Sequence, residues 1–343
     1  MAAAFGVLYM ARNNNGIERT FPARLTLADV REDIVVSRYR LGSAEILELL
    51  ALISEDVSPQ TNRGHSISAE TKLLLTLRFL GKGDFYSEVG DLHGVSRSSM
   101  SRHLHEVVAA INNKMKNIRF PTTLEERREA SLGFYTLCGI PRVLGAVDGT
   151  LVPIIAPHDN EEVYVCRKGY HALNIQAVVN SNMRFNDVVA RWPGSANDAG
   201  IFDNCGLKRH LELNDVGMLL GDSGYPLRHY LMTPVLRPQG IQQTAYNVAH
   251  ARGRVVVERA FGLLKSRFRC LHKTGGCLMF SPDKCAQIVT ACIHLHNLCL
   301  DRHVPMPGTV LRQDGQDMDQ QPLAVPAPNH SGVLQRNILI NRY

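Results

Sequence analysis

The sequence predicts an α/β protein in which an all-helical N-terminal domain precedes a domain built on a mixed β-sheet. Two observations lead to this prediction. Amphipathic stretches with helix-capping residues dominate the first 139 residues, and β-branched apolar runs separated by turns begin near residue 140. At 343 residues the chain can hold two or three domains. We therefore expect domains at 1–139 and 140–302, followed by a flexible linker and C-terminal tail at 303–343.

Composition and charge narrow the class of protein only slightly. The 38 Lys and Arg residues exceed the 32 Asp and Glu residues, which gives a formal net charge of +6. A mildly basic chain is compatible with a nucleic-acid partner but does not require one. No apolar run reaches the roughly 18 residues of a membrane span, so we expect no membrane association. The eight cysteines form no C-x-x-C pair and, without a signal peptide, indicate reduced thiols in an intracellular protein.

The N-terminal part is predicted to be a series of helices. Residues 1–60 are expected to be mostly helical, with Ser43 capping one amphipathic helix. A polar break at 58–65 follows. Ser68 then opens a strongly apolar helix that continues to Leu80.

The next segment is typical of a helix-turn-helix, which we place at about residues 71–110. A short helix at 85–93, a glycine turn and a longer helix capped by Ser96 follow the apolar helix in that order. The side chains that lead the longer helix are polar or basic and could face a DNA groove. They are Arg97, Ser98, Ser99, Arg102 and His103. The alternative is a three-helix bundle that packs on the next domain without touching DNA.

From residue 140 the pattern changes from helical to extended. After one more amphipathic helix at 124–139, apolar β-branched runs predict four strands, at 142–147, 173–179, 187–192 and 216–220. Helices are predicted at 198–213, 250–268 and 282–300. Three strands, a helix and a fourth strand are typical of an antiparallel meander followed by a crossover to a parallel neighbour.

Three acidic residues occupy positions suited to metal binding. Asp148 ends the first apolar run, Asp222 ends the fourth, and Glu258 lies inside a predicted helix. In the ribonuclease-H-like fold the first and fourth strands are neighbours at the centre of the sheet, and a later helix brings a third acid across. Divalent ions held close together need oxygen ligands with surplus negative charge. We therefore predict a ribonuclease-H-like catalytic domain in which these three acids bind metal.

Five short runs in this region also carry a family resemblance. They are GAVDGT at 145–150, RKGYHALN at 167–174, RWPGSAND at 191–198, LGDSGY at 220–225 and VERAFGLLK at 257–265. In this order, over about residues 140–300, they resemble the PIF/Harbinger family of DDE transposases, which includes transposase-derived nucleases.

The resemblance implies an activity, a cofactor and partners. The implied activity is to cut transposon-end DNA and to join the 3′-hydroxyl to target DNA by two-metal phosphoryl transfer. Mg²⁺ is the implied ion, with Mn²⁺ as a substitute. A homodimer is implied because two DNA ends must be joined, and a Myb/SANT-like DNA-binding protein is the implied partner. The implied location is the nucleus, with the cytoplasm as a second location.

Asp198 is a fourth candidate acid. Strand order favours Asp222 as the core ligand, whereas the family motif makes Asp198 a metal-side acid. The alternative is that Asp198 only caps the helix that starts there.

A second resemblance supports Glu258. Bacterial DDE insertion-sequence transposases have a tyrosine–arginine–glutamate–lysine signature. Arg254, Glu258 and Lys265 match three of its positions, but Ala251 stands where the tyrosine would be. A phosphate contact from that tyrosine is therefore not expected here.

Basic residues near these motifs could bind DNA phosphates. They are Arg167, Lys168, His171, Arg254, Lys265, Arg267 and Arg269. The alternative is that they form a solvated surface. Trp192 could stack on an unpaired base or, more commonly, fill the core at a strand end.

Two further readings of the whole chain stay open. One is a domesticated protein, either a transposase-derived nuclease or a module that binds DNA or another protein without catalysis. The other is a ribonuclease-H-like enzyme that acts on RNA. Cys285, Cys292, His296 and Cys299 share one helical face, but ligands on a single straight helix cannot surround a tetrahedral ion. Their apolar neighbours favour a buried core helix.

Overall fold

A computed structural model describes residues 23–61, 65–306, 327 and 329–343. The expected helical structure of residues 1–22, the centre of the polar break and most of the expected linker lie outside the described residues. No helix within the described ranges is long and apolar enough to cross a membrane.

Helices precede the sheet, as the sequence predicts. They are α1 (Glu32–Tyr39), α2 (Ser43–Val57), α3 (Ala69–Lys82), α4 (Tyr86–His93), α5 (Arg97–Lys114) and α6 (Leu124–Cys138). Ser96 caps α5 as expected, because its hydroxyl accepts a hydrogen bond from the Ser99 backbone N–H. The expectation for Ser43 is wrong: Gly42 is the N-cap of α2, and the Ser43 hydroxyl bonds to Glu32 instead.

The sheet has five strands in the order β3-β2-β1-β4-β5. They are β1 (Val143–Pro153), β2 (Ala172–Val179), β3 (Phe185–Pro193), β4 (Met218–Leu220) and β5 (Leu231–Met232). The first three form an antiparallel meander, and β4 runs parallel to β1. The predicted meander and crossover are therefore confirmed. The short strand β5, parallel to β4, was not expected.

The remaining helices surround this sheet. They are α7 (Glu161–Tyr164), α8 (Asp198–Asp203), α9 (Gly206–Leu213), α10 (Ile241–Arg267), α11 (Pro282–Asp301) and α12 (His330–Ile340). The single helix predicted at 198–213 is thus two helices. The chain breaks between them because the Cys205 thiol caps α9 by accepting from the Lys208 N–H.

Strand β1 is longer than its apolar run suggested. It pairs with β2 without interruption from Ala146 to Pro153, so Asp148 lies within the strand rather than at its end. Alternate side chains enter two cores. Ala146 and Val152 join the larger core with α10 and α11, whereas Val147 packs with Phe202 of α8 in a smaller core on the opposite face.

The helical segment and the sheet share the larger core. Residues of α3, α5, β1, β2 and α11 belong to one continuous cluster. Two buried arginines also join the segments: Arg40 Nε donates to the Arg267 carbonyl at 2.9 Å, and Arg267 Nη1 donates to the Arg40 carbonyl at 3.3 Å. The tail returns to the body as well, since Arg336 of α12 donates to the Pro234 carbonyl at 3.2 Å.

Helix α11 is a buried core helix, as predicted. Cys285, Cys292, His296 and Cys299 are all buried. His296 Nε2 donates to the Met183 carbonyl at 3.3 Å, and its ring lies 5.2 Å from that of Phe185. Burial, followed by the charge of Arg267, lowers the pKa of His296 to about 3.

This depressed pKa predicts a pH dependence of stability. Between pH 6.5 and about 3 the unfolded chain binds a proton at His296 that the folded chain excludes, so the free energy of unfolding falls as pH falls. For this one residue the slope is about 1.4 kcal/mol per pH unit near pH 5. We expect the free energy of unfolding, measured with urea from pH 6 to 4.5, to depend less steeply on pH in His296→Gln than in the wild type. The difference in slope should be about this amount. The surface variant His158→Gln is the control, and an equal change in both variants would contradict the assignment.

Candidate active site

The register between β1 and β4 brings two of the predicted acids to the same level of the sheet. Ala146 pairs with Leu220 in the parallel ladder. Asp148 and Asp222 each follow these partners by two positions, so they leave neighbouring strands side by side. Asp222 lies just beyond β4, where its Oδ1 accepts a hydrogen bond from the Gly224 N–H at 2.9 Å.

Helix α10 carries Glu258 across this pair and is fixed to the sheet on both sides of it. His250 Nε2 donates to the Met232 carbonyl of β5 at 3.0 Å. Lys265 Nζ donates to the Thr150 hydroxyl and to the Leu151 carbonyl, both at 2.8 Å. Because α10 is held before and after Glu258, the carboxylate has a defined position above β1.

Arg254 joins the helix to the strand at the centre of this arrangement. Its Nη1 lies 3.2 Å from Asp148 Oδ2, and its Nη2 is hydrogen-bonded to Glu258 Oε1. The sequence suggested that Arg254 and Lys265 face a DNA phosphate. Those DNA contacts stay predictions. In this structure Arg254 contacts two of the candidate acids, and Lys265 anchors α10 to β1.

The pKa of Asp148 is set by its burial and by the charges of its neighbours. Its side chain is 5% exposed. Burial raises the pKa of Asp148 to about 7, Arg254 opposes this, and the nearby carboxylates of Asp222 and Asp198 raise it further. Asp148 is therefore the deepest member of a group of acids, whereas Glu258 is 23% exposed at its rim.

The Asp198 side chain approaches Asp148 and Asp222 from the opposite face of the sheet. Its Oδ1 accepts a hydrogen bond from Asn174 Nδ2 at 2.9 Å, and its carboxylate lies directly against Gly149. Burial raises its pKa, and Asp222 adds to the rise. The interpretation of Asp198 as the helix cap is wrong, because Asn197 is the N-cap of α8 and accepts from the Gly200 N–H at 2.6 Å.

Sequence reasoning missed a polar network beneath Asp198. Gln176 Nε2 donates to the Asp198 carbonyl at 2.9 Å and to the Tyr225 hydroxyl at 3.0 Å. Tyr225 is fully buried, and burial together with the charges of the three aspartates raises its pKa well above the ordinary value. One signal was present: Asn174 and Gln176 are polar, two residues apart in an otherwise apolar strand, and so share one face.

A second missed signal lies on α10. His250, Arg254 and Glu258 recur at intervals of four residues, which places them on one face of a helix. That face is the one that meets β1 and β5. The four-residue spacing places Arg254 beside Glu258, on the face of α10 that approaches β1.

The other predicted site residues of this domain lie just before β2 and at the end of β3. Arg167 and Lys168 are exposed in the turn before β2, and the charge of Arg167 lowers the pKa of Asp198. His171 Nε2 lies 2.9 Å from Glu161 Oε1, although without hydrogen-bond geometry. Trp192 is half-buried at the end of β3, opposite Asn174.

On α5 the predicted groove-facing residues divide into two groups. Arg97, Ser98 and Arg102 are exposed, whereas His103 is tied to Glu106 at 2.7 Å. The apolar residues Met100 and Leu104 are buried on the inner side of α5, as predicted.

The donor set fits a hard divalent cation in its chemistry. Carboxylate oxygens are the ligands that Mg²⁺ and Mn²⁺ prefer. Within the described ranges, however, no three His, Cys, Asp or Glu side chains are close enough to hold an ion as they stand. The Arg254 guanidinium lies between Asp148 and Glu258 and contacts both carboxylates. For Glu258 to share an ion with Asp148, Arg254 must move aside.

Comparison with known proteins agrees with this geometry. A family model described as "DDE superfamily endonuclease" matches residues 147–297, which include all four acids. The chain is 37% identical over 293 residues to "Putative nuclease HARBI1" of Homo sapiens, with 83% of this chain and 84% of that protein covered. The chain belongs to the Harbinger-derived DDE nuclease family.

Other members of this family are similar along most of their length. The mouse protein of the same name is 34% identical over 313 residues, with 89% of this chain and 90% of that protein covered. "Protein ALP1-like" of Arabidopsis thaliana is 28% identical over 284 residues, with 77% of this chain and 66% of that protein covered. No solved structure matches the chain.

The close approach of Asp198 to Gly149 yields a test of this packing. A Cβ at position 149 would lie well inside van der Waals contact of the Asp198 carboxylate. Gly149→Ala should therefore lower the free energy of unfolding by about 1–3 kcal/mol, measured by chemical denaturation. Gly206→Ala is the control, because a Cβ there meets nothing within 4 Å. Equal stability of the two variants would contradict the described position of Asp198.

Proposed function

We propose that this chain is a divalent-metal-dependent DNA endonuclease in which Asp148, Asp222 and Glu258 bind Mg²⁺ or Mn²⁺. One observation carries the proposal: acids from β1, from the end of β4 and from α10 converge around one buried position that already attracts a cation, the Arg254 guanidinium. Bound divalent metal supplies Lewis-acid stabilisation of charge on the reacting phosphoryl and leaving oxygens.

The protein's own groups have separate roles in this proposal. Asp148 is held rigidly within β1, and Glu258 can adjust because it lies at the rim of the site. Arg254, once displaced from the two acids, would be free to contact a non-bridging phosphate oxygen of the substrate. Its positive charge would then stabilise the substrate phosphate instead of the two carboxylates.

Asp198 is proposed as a fourth metal-side acid. Its carboxylate is buried, its charge acts on that of Asp148, and its cap function is taken by Asn197. From the side away from α10, Asn174 donates to its carboxylate and Gln176 donates to its backbone carbonyl. This second layer of polar contacts fixes the position of an acid that would otherwise be repelled by its neighbours.

We propose a ribonuclease-H-like fold for residues 140–302, a helical domain at 1–139, and a linker with a C-terminal tail at 303–343. Support for the fold comes from the order β3-β2-β1-β4-β5 with β1 and β4 parallel at the centre. We also propose a helix-turn-helix from α3 to α5. Its support is the Ser96 cap, with Arg97, Ser98 and Arg102 exposed on α5.

The substrate and partners follow from the family. Transposon-end and target DNA are the proposed substrates, and transfer of the 3′-hydroxyl to target DNA is the proposed second step. A homodimer, a Myb/SANT-like DNA-binding partner and a nuclear location are proposed on the same basis.

A second candidate is a nuclease that cuts DNA without strand transfer. Its support is that the similar proteins of Homo sapiens and Mus musculus are named nucleases rather than transposases. The acids and Arg254 would serve both candidates equally. The two differ only in whether the cut 3′-end is joined to a second DNA molecule.

The proposal predicts that Glu258→Gln abolishes cleavage. The substitution removes one negative oxygen ligand while keeping the side-chain size, so nicking of a terminal-repeat duplex should fall by on the order of 100-fold or more. The assay is run with Mg²⁺ and with Mn²⁺, and DNA binding is measured in parallel to show that the variant still folds. The exposed Glu55→Gln is the matched control. Undiminished cleavage by Glu258→Gln would refute the mechanism, and absence of cleavage by the wild type would favour a non-catalytic binding protein.

A further inference from the structure

A group of cations lies where the end of α3 meets the segment that follows α10. We refer to Arg78, Lys82 and Arg269 as the junction cluster. The charges of Arg78 and Arg269 act on both Arg40 and Lys82. Burial, then the charges of Arg269, Arg78 and Arg267, lowers the pKa of Arg40 to about 10. Lys82 has a lowered pKa for similar reasons, with burial first and then Arg40 and Arg78.

Backbone packing holds the cluster together. Gly83, at the end of α3, adopts φ 75° and lies against the backbone of Gly275 and Cys270. Beneath this contact Arg40 Nη2 donates to the Gly81 carbonyl at 2.8 Å. Together with its bond to Arg267, this makes Arg40 a structural link whose donors are already used. The three cations of the junction cluster take no part in this link.

The cluster has little internal neutralisation. Among the residues that the structure describes, Asp84 is the one carboxylate in ion-pair contact with the cluster, 3.3 Å from Arg78 Nη2. Within the same ranges the side chain of Lys82 makes no hydrogen bond or ion pair. Arg269 has a buried Nε without a partner and a single long bond, 3.3 Å, from Nη2 to the Thr274 hydroxyl.

Capping of helix ends does not account for these residues. Arg40 and Arg267 do donate to carbonyls at the ends of helices, which explains their burial. Lys82 and Arg269 do not share that explanation, because their donors lack such acceptors. Unneutralised, partly buried donors of this kind suit an anion with several oxygen acceptors.

We propose that the junction cluster binds backbone phosphates of the DNA duplex outside the cleavage site. This inference rests on the proposed endonuclease function. Helix α10 runs from Glu258 to its end at Arg267, about 14 Å at 1.5 Å per residue, and Arg269 follows two residues later. That length corresponds to about four base pairs of duplex. Arg78 and Lys82 lie on α3, the first helix of the proposed helix-turn-helix. A duplex that contacts this helix and the acids could therefore also contact the cluster.

The test measures how DNA binding depends on salt. Lys82→Gln combined with Arg269→Gln is compared with the wild type by fluorescence anisotropy of a labelled duplex, in EDTA so that no cleavage occurs. The control removes the same charge elsewhere: Arg31→Gln with Arg302→Gln, whose side chains are 80% and 50% exposed. If the cluster binds two phosphates, the slope of log affinity against log salt falls by about 1.8. Lys82→Arg, which keeps the charge, should keep the wild-type slope.

The outcomes separate this inference from the proposed function. A slope reduced only in the cluster variant, with affinity lowered about tenfold or more at moderate salt, supports the cluster. A cluster variant that matches the control while the wild type binds and cleaves DNA overturns the cluster alone. A wild type that neither binds nor cleaves DNA overturns the proposed function, and the cluster with it.

Discussion

The structure depends on how it accommodates buried negative charge where β1 meets β4. Asp148 is almost fully enclosed, and Asp222, Asp198 and Glu258 approach it from the next strand, the opposite face and the overlying helix. Burial of unpaired carboxylates is costly, so each needs a compensating partner. Arg254 serves Asp148 and Glu258, whereas a backbone N–H serves Asp222 and the Asn174 amide serves Asp198.

Other features of the fold follow from this requirement. Helix α10 continues for 27 residues because it must reach β5 through His250 and β1 through Lys265 while carrying Arg254 and Glu258 between them. Gly149 lacks a side chain where the Asp198 carboxylate needs the space. On the opposite face Tyr225 fills the smaller core with a hydroxyl that accepts the Gln176 amide. We propose that Arg254 stabilises the acids until metal takes over that role.

Strand order could be predicted from the sequence, and the candidate acids Asp148 and Asp222 could be located, because an apolar run followed by an acid is a local pattern. The partners of those acids could not, because they come from distant parts of the chain. From the sequence alone Arg254 resembles a surface arginine, and only the packing of α10 on β1 shows its contact with Asp148. Asp198 was the cap considered from the sequence, whereas the turn geometry makes its neighbour Asn197 the cap. The start of α10 at Ile241 was missed because its first turns are exposed and carry little apolar periodicity.

The central claim is that the Arg254 guanidinium and a divalent cation compete for the same acids. The most direct measurement is diffraction at the manganese absorption edge from crystals soaked in Mn²⁺. The account predicts an anomalous peak about 2.1 Å from oxygens of Asp148 and Asp222, with Arg254 released from Glu258. No peak at these acids at millimolar Mn²⁺, with Arg254 still bridging Asp148 and Glu258, would contradict it.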